Sequence, residues 1–310
     1  MERILSILPK RLAEPIRLLP ESVKNKLEEI RLRVGRPIEI GVTGKPSFLP
    51  LTVNEEDALQ LINNVSQFSF YTIEEELRRG YITIQGGHRI GLAGKVILDK
   101  GQVKSIRDIS SFNIRIARER IGVSQGLLPF LYDGRWQNTL ILGPPQTGKT
   151  TLLRDIARIL SSGIPSLDLL PVKVGIVDER SELAGCVNGV PQLSFGPRID
   201  VLDGCPKAEG MMMLIRSMSP EIIIADEIGR PEDTEAVLEA ANAGITLMVT
   251  THGYSFSDVK KRPTLKEILQ LDIFTRILEL KRNDATGMEI RILDGQGNQI
   301  TILTKEMSVN

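Results

Sequence analysis

Residues 143–150 read Gly-Pro-Pro-Gln-Thr-Gly-Lys-Thr, which matches the phosphate-loop pattern G-x-x-x-x-G-K-[ST] at every specified position. The apolar run 140–142 enters this loop as a buried strand would, and a helical pattern leaves it from Thr150. Such a loop turns backbone N–H groups and a helix N-terminus toward phosphate oxygens. The sequence therefore predicts a nucleotide site on a parallel α/β sheet, contacted by Gly143, Pro144, Pro145, Gln146, Thr147, Gly148, Lys149, Thr150 and Thr151.

Two loop residues and one acidic pair predict the chemistry of this site. Lys149 is expected to neutralise the β- and γ-phosphates of ATP, and the Thr150 hydroxyl to ligate Mg²⁺. Asp226 and Glu227 follow the apolar run 222–225, at the carboxyl end of a strand, where an open parallel sheet binds its ligand. We expect Asp226 to hold Mg²⁺ through its water shell and Glu227 to activate the attacking water. A polar turn after a core strand is the alternative.

Two further strand ends carry candidate catalytic residues. Asp178 and Glu179 follow the run 174–177, and Glu179 is expected to assist the magnesium shell. A structural ion pair of Glu179 with Arg180 or a neighbour is the alternative. His252 ends the run Thr250-Thr251-His252, where a polar side chain can sense the γ-phosphate or the water. A hydrogen-bonded buried histidine is the alternative there.

The second half of the chain alternates β-rich and helical runs, which is typical of a parallel sheet. Strands are expected at 139–142, 172–177, 222–225 and 245–250, and helices at 150–161, 207–217 and 232–243. From Phe274 onward the pattern predicts antiparallel strands, with a turn at 294–298.

The first part of the chain predicts a mixed α/β unit. Helical spacing of apolar residues indicates short helices from Met1 to about Arg33, with Ser22 capping a helix that runs through Ile30. A hairpin over 36–49, a helix over 55–67 and strands over 81–85, 89–95 and 111–116 follow. We place the boundary after residue 125, which gives an N-terminal α/β domain over 1–125 for partner contacts and an ATPase domain over 126–310.

Composition excludes several classes of protein. Lys and Arg total 39 and so do Asp and Glu, which argues against bulk electrostatic binding of nucleic acid or anionic lipid but leaves room for a local basic face. Two cysteines are too few for a disulfide framework. No run approaches the roughly 20 apolar residues of a membrane helix, so we expect a cytoplasmic protein.

The order of these motifs resembles the secretion ATPases of type II and type IV systems. The resemblance covers roughly residues 70–260: the phosphate loop, a strand ending Asp-Glu-Arg, a helix ending at Ser217 before Ala-Asp-Glu-Ile-Gly, and a strand ending Thr-Thr-His. Within that superfamily the chain is similar over its whole length to the stage III sporulation AA family. The similarity is carried by two sequence motifs, Gly-Pro-Pro-Gln-Thr-Gly-Lys-Thr-Thr-Leu-Leu-Arg-Asp and Val-Asp-Glu-Arg-Ser-Glu-Leu-Ala-Gly.

This resemblance implies a RecA-like P-loop ATPase core with a smaller N-terminal mixed α/β domain, assembled as a hexamer with nucleotide at the subunit interfaces. It implies a role in endospore formation in the mother cell, at the membrane that faces the forespore. The partners would be the membrane proteins of a channel complex. It also implies that an N-terminal arginine acts on the nucleotide of a neighbouring subunit, with Arg89, Arg107 and Arg115 as candidates.

The leading hypothesis is thus a Mg²⁺-dependent ATPase that energises or organises a membrane channel complex. One alternative is a nucleic-acid-stimulated RecA-like motor or single-strand-binding ATPase. Aromatic residues at 4% of the chain and the balanced charge leave little material for base stacking or a basic channel, which disfavours it. A second alternative is a nucleotide-dependent scaffold with negligible hydrolysis.

Overall fold

A computed structural model describes residues 1–66, 74–283 and 287–305 of the chain. The chain folds into two compact units. Unit 1 comprises Met1–Arg118 and Gly185–Asn188, and unit 2 comprises Glu119–Ala184 and Gly189–Asn310. No pattern in the sequence predicts that the short segment Gly185–Asn188 belongs to unit 1. The assignment of partner contacts to residues 1–125 and of chemistry to 126–310 stays a prediction.

Unit 1 is built on a six-stranded antiparallel sheet. Its strands are β1 Leu27–Arg33, β2 Pro37–Val42, β3 Lys45–Thr52, β4 Tyr81–Ile84, β5 His88–Asp99 and β6 Gln102–Arg115. They lie in the order β3-β2-β1-β6-β5-β4. The helices described in this unit are α1 Glu2–Ile7, α2 Lys10–Arg17, α3 Glu21–Lys24, α4 Glu55–Ser66 and α5 Glu74–Arg79.

Alternation along the strands separates a core face from a polar face. Ile30, Leu32 and Ile114 are buried and share one apolar cluster with Leu12 of α2 and Leu61 of α4. The arginines and glutamates of β1 are partly buried or exposed. Because strand side chains alternate between faces, one side of the sheet packs on the helices and the other stays polar.

Most elements predicted for this region are confirmed, and one is wrong. The hairpin forms as β2 and β3, and the helix over 55–67 forms as α4, with Gln67 outside the described residues. The helix expected from Ser22 through Ile30 stops at Lys24, and β1 begins at Leu27. The alternating Ile30 and Leu32 lie on a central strand between β2 and β6, and this pairing overrides the local helical spacing.

Unit 2 is built on an eight-stranded sheet. Its strands are β7 Thr139–Gly143, β8 Val174–Asp178, β9 Ile199–Asp203, β10 Ile222–Ala225, β11 Thr246–His252, β12 Arg276–Asn283, β13 Gly287–Asp294 and β14 Gln299–Lys305. They lie in the order β14-β13-β12-β7-β11-β10-β8-β9. The six from β12 to β9 run parallel, and β13 and β14 extend the sheet in antiparallel pairing.

Helices cover both faces of this sheet. They are α6 Leu128–Leu131, α7 Lys149–Ser162, α8 Lys207–Ser217, α9 Pro231–Asn242, α10 Phe256–Val259 and α11 Pro263–Gln270. Neighbouring residues of β7 point to opposite sides: Ile141 packs with α6 and α7, whereas Leu140 packs with α8 to α11. Burial on both faces explains why these strands are continuous apolar runs rather than alternating ones.

The predicted parallel strands, the helices between them and the antiparallel C-terminal strands are confirmed within a few residues. Strand β9 and the short helices α10 and α11 were not predicted. None of the helices in the described ranges is long and apolar enough to cross a membrane.

Candidate nucleotide site

The predicted phosphate loop connects β7 to α7 in the expected way. Gln146 and Gly148 both have positive φ, 64° and 91°, and α7 begins at Lys149. A Cβ atom at Gly143 would lie 2.7 Å from Thr147 Oγ1 and 2.9 Å from a backbone oxygen of β12, so only glycine fits the start of the loop. The Thr147 hydroxyl donates to Pro144 O at 2.8 Å and closes the turn.

Lys149 is buried at the centre of this loop, 5% exposed. Its Nζ donates to Gly143 O at 2.9 Å and to Pro144 O at 3.0 Å, and lies 3.3 Å from His252 Nδ1. Burial lowers the pKa of Lys149, while Asp226 and Glu227 act in the opposite direction. The ammonium group is therefore held inside the loop by neutral acceptors that phosphate oxygens could replace.

Asp226 stands directly after β10 and joins two threonines. Thr150 Oγ1 in the first turn of α7 donates to Asp226 Oδ2 at 2.6 Å, and Thr250 Oγ1 of β11 donates to Asp226 Oδ1. Strands β7, β11 and β10 are neighbours and parallel, so their carboxyl ends bring these side chains to one edge of the sheet. The pairing of Thr150 with Asp226 is the arrangement expected of a magnesium site.

Glu227 has positive φ, 58°, and its backbone N–H donates to Thr250 Oγ1 at 2.8 Å. Its carboxylate is held on both oxygens: Oε1 lies 2.9 Å from His252 Nε2, and Oε2 lies 2.7 Å from a guanidinium nitrogen of Arg180. A non-glycine residue in this backbone region is uncommon and occurs often at functional sites. The strained turn presents the carboxylate beside the phosphate loop rather than along the strand.

The acidic pair after β8 takes two different positions. Asp178 is 2% exposed and accepts backbone N–H bonds from Glu182, Leu183 and Ala184 at 2.8–2.9 Å, so it organises the following turn. Burial raises the pKa of Asp178 to about 6, against those hydrogen bonds. Glu179 forms ion pairs with Lys207 and Arg230. That is the structural alternative for Glu179, and its assistance to magnesium stays a prediction.

The three N-terminal arginines belong to unit 1. Arg89 and Arg115 are register partners on β5 and β6, and Arg89 stacks over the Tyr81 ring, 3.4 Å from its centroid. Arg107 is exposed opposite Lys95. Their approach to the nucleotide of a neighbouring subunit stays a prediction.

Sequence reasoning missed two partners in the site. The sequence suggests Glu179 as the partner of Arg180, whereas in the structure Arg180 forms an ion pair with Glu227. The sequence places Thr250 only within the Thr-Thr-His strand end, whereas in the structure its hydroxyl accepts from the Glu227 N–H and donates to Asp226. The polar residues at the carboxyl ends of neighbouring strands were the available signal for both, because such ends converge.

The residues present fit a magnesium ion bound together with a nucleotide. Mg²⁺ prefers hard oxygen ligands and usually keeps waters while it takes one or two protein groups and substrate phosphates. Thr150 and Asp226 supply such oxygens. Within the ranges described, no group of three or more His, Cys, Asp and Glu side chains is close enough to hold a metal alone. Such an ion would be held together with the nucleotide phosphates.

Comparison with known proteins agrees with this reading of the fold. The chain is 53% identical over 304 residues to the stage III sporulation protein AA of Bacillus subtilis (strain 168), covering 98% of each chain. Among solved structures, the Legionella pneumophila ATPase DotB superposes with a TM-score of 0.62 at 16% identity, covering 93% of this chain and 81% of that one. The pilus retraction motor PilT with bound ADP gives 0.59 at 15% identity, covering 93% and 82%.

These structural likenesses show the fold, and they confirm the predicted α/β class with a RecA-like P-loop ATPase core and a smaller N-terminal mixed α/β unit. The family profile described as "Sporulation stage III, protein AA" matches residues 1–300. Together with the full-length relative, this match shows that the chain belongs to the sporulation stage III protein AA family.

Proposed function

We propose that this chain is a Mg²⁺-dependent ATPase. The observation that carries the proposal is the convergence of Lys149, Thr150, Asp226 and Glu227 at one edge of the unit 2 sheet, within a single network of short contacts. Each of these residues has the chemistry that one part of phosphoryl transfer needs. Lys149 is a cation that can bind phosphate. Thr150 and Asp226 supply oxygens for magnesium, and Glu227 supplies a carboxylate that can activate water.

The loop would bind the β- and γ-phosphates through its backbone N–H groups and the N-terminus of α7. Thr150 would hold Mg²⁺ directly and Asp226 through its water shell, and the ion would neutralise charge on the phosphate oxygens. Glu227 orients a water for in-line attack on the γ-phosphorus and accepts its proton. His252 contacts both Glu227 and Lys149, so its ring links the expected base to the lysine that would bind the phosphates.

Nucleotide binding on this scheme replaces existing contacts of Lys149. Its Nζ now donates to two carbonyls of its own loop, at 2.9 and 3.0 Å. A phosphate oxygen carries negative charge and a carbonyl oxygen does not, so in this buried loop the lysine ammonium is attracted more strongly to phosphate. The buried ammonium should therefore move onto the phosphates, which lengthens its contact with His252 and frees that ring to reorient Glu227.

We also propose that hydrolysis serves endospore formation by energising or organising a membrane channel complex between mother cell and forespore. Membership of the sporulation family and the likeness to the ATPase DotB and the motor PilT support this role. The active form on this proposal is a cytoplasmic hexamer, in which Arg89, Arg107 or Arg115 of one subunit contacts the nucleotide of the next. Its partners would be membrane proteins of the channel.

ATP turnover of purified protein tests the enzymatic part. We expect Mg²⁺-dependent release of phosphate by the unmodified chain, and its loss in Lys149→Ala and Glu227→Gln. Glu235→Gln is the matched control, because Glu235 is an exposed residue of α9 and the change removes the same charge.

The two site variants should fail differently. Lys149→Ala should lose nucleotide binding, whereas Glu227→Gln should bind ATP with near-normal affinity and not hydrolyse it. Equal turnover in all four proteins would remove the ATPase assignment. Binding of ATP by the unmodified chain without turnover would favour the nucleotide-dependent scaffold instead, and strong stimulation by single-stranded DNA would favour the nucleic-acid motor.

A further inference from the structure

Residues 95–107, here called the ribbon, continue β5 and β6 beyond the rest of the unit 1 sheet. Strand β4 pairs with β5 only as far as Gly91, and β1 pairs with β6 only from Ser111 onward. Beyond those points the two strands pair with each other alone among the described strands, down to a tight turn at Lys100 and Gly101, both with positive φ. Two-stranded ribbons are marginally stable in water unless a further surface supports them.

One face of the ribbon exposes aliphatic side chains. Val96, Leu98 and Val103 are 49%, 62% and 40% exposed. Val96 and Leu98 are two residues apart and so share a face, and Val103 is the register partner of Leu98 on the opposite strand. The three form a contiguous apolar strip at the end of the ribbon, of the kind that marks an interaction surface.

The ribbon is also strongly basic in a chain whose formal net charge is zero. It carries Lys95, Lys100, Lys104 and Arg107, all exposed, against the single carboxylate of Asp99. Lys95 and Arg107 are directly opposed across the two strands, a like-charge arrangement that is unfavourable without a counter-charge. None of the four cations forms an ion pair with a described residue. The positive charge is therefore available to an external anion.

We propose that the ribbon docks on an anionic lipid surface. Val96, Leu98 and Val103 enter the headgroup region, and Lys100 and Lys104 at the same end of the ribbon contact lipid phosphates, while Lys95 on the opposite face adds longer-range attraction. Lysine stems lie along apolar material while their ammonium groups stay at the polar boundary. Lysine is depleted in protein–protein interfaces, where aromatic side chains are enriched, and residues 95–107 contain no aromatic side chain. This composition favours lipid over an acidic protein. The proposal does not depend on ATP hydrolysis.

Flotation of the full chain with vesicles tests the proposal. We expect it to float with mixed phosphatidylglycerol and phosphatidylcholine vesicles, to stay behind with phosphatidylcholine alone, and to be released at about 0.5 M salt, where screening is strong. The triple variant Lys95→Gln, Lys100→Gln, Lys104→Gln should lose about fivefold per lysine in partition coefficient. The matched control is Lys10→Gln, Lys26→Gln, Lys45→Gln, three exposed lysines elsewhere in unit 1 with the same charge change. It should float like the unmodified chain.

A direct probe separates insertion from simple attraction. Leu98→Trp should show a blue-shifted emission on addition of anionic vesicles, and no shift when combined with the triple lysine variant. Unchanged flotation of the triple variant, or equal losses in the control, would overturn the proposal. Binding of the chain to poly-glutamate but not to vesicles would also overturn it and would indicate an acidic protein as the partner of the ribbon. Dissociation of an oligomer on Leu98→Thr would overturn it too and would indicate a second copy of this chain as the partner.

Discussion

Nε2 of His252 lies 2.9 Å from Oε1 of Glu227, at the carboxyl end of β11. The other ring nitrogen of the same histidine is 3.3 Å from Lys149 Nζ. One imidazole therefore contacts both the carboxylate that we expect to activate water and the lysine that we expect to bind phosphate. We interpret His252 as a positioning residue. When phosphate binds Lys149, the imidazole is freed and changes the orientation of Glu227.

Replacement of His252 tests this role. His252→Ala should lower kcat at least about tenfold, since a correctly placed base contributes 10²–10⁴-fold, with little effect on KM. His252→Gln should recover part of the loss, because its amide nitrogen can donate to Glu227. Steady-state kinetics measures both. Equal kcat in the Ala and Gln variants would contradict the positioning role, because only Gln can donate to Glu227.

Arg180, whose side chain is 59% exposed, forms the second contact to the Glu227 carboxylate, an ion pair. We expect Arg180→Gln to lower kcat about three- to tenfold, because the carboxylate loses one of its two restraints. The stability should change by less than about 1 kcal/mol, as is usual for an exposed ion pair. Arg180→Lys should fall between. Faster turnover of Arg180→Gln would instead mean that the arginine holds Glu227 away from its working position.

Magnesium dependence tests Thr150. Thr150→Ala removes the hydroxyl that now donates to Asp226 at 2.6 Å, so half-maximal turnover should need at least about tenfold more Mg²⁺. Thr150→Ser keeps the hydroxyl and should need close to the normal concentration. Titration of activity with Mg²⁺ after EDTA treatment distinguishes them. The same midpoint in Ala and Ser variants would exclude this hydroxyl as a ligand.

The sequence predicted where the candidate residues lie in the fold when spacing alone determines geometry. The phosphate-loop motif specifies its own backbone conformation. Its eight residues therefore predict that Lys149 and Thr150 lie at the start of α7. Asp226 and Glu227 followed from a buried strand that ends in acidic residues. Parallel strands whose carboxyl ends meet bring such groups together.

Other features could not be obtained this way, because they depend on contacts distant in sequence. Which carboxylate Arg180 contacts is decided by the order of β8, β10 and β11 in the sheet, not by neighbours in the chain. The extension of β5 and β6 into the ribbon was also missed. Its consecutive apolar residues Val96, Ile97 and Leu98 are typical of a buried strand, and nothing in that run shows that Val96 and Leu98 are exposed.

Stability of unit 2 should depend on a close approach at Gly196. A Cβ atom there would lie 2.2–2.3 Å from backbone atoms of Ser161 and Ser162 at the end of α7. The backbone of α7 cannot move away from such an overlap without a large energetic cost. Gly196→Ala should lower the free energy of unfolding by about 2–3 kcal/mol. Gly229→Ala, where a Cβ would meet nothing within 4 Å, is the control and should stay within about 0.5 kcal/mol. Equal denaturant midpoints would refute the close approach.

Titration of Asp178 should make stability depend on pH in an unusual direction. Burial raises its pKa to about 6 in the folded chain, above the ordinary value of 3.8. The folded state then binds a proton that the unfolded state has released, so this carboxyl's contribution is fully present below about pH 4 and is lost as pH rises through about 6.

The loss amounts to about 3 kcal/mol at most, from 1.36 kcal/mol per pKa unit. Asp178→Asn removes the titration. Its free energy of unfolding should be lower than that of the unmodified chain at about pH 4, because the amide replaces an oxygen that accepts backbone N–H bonds. That deficit should shrink toward about pH 7. Urea unfolding of both proteins across this range measures the difference, and a gap that is constant or widens with pH would show that Asp178 is ionised throughout.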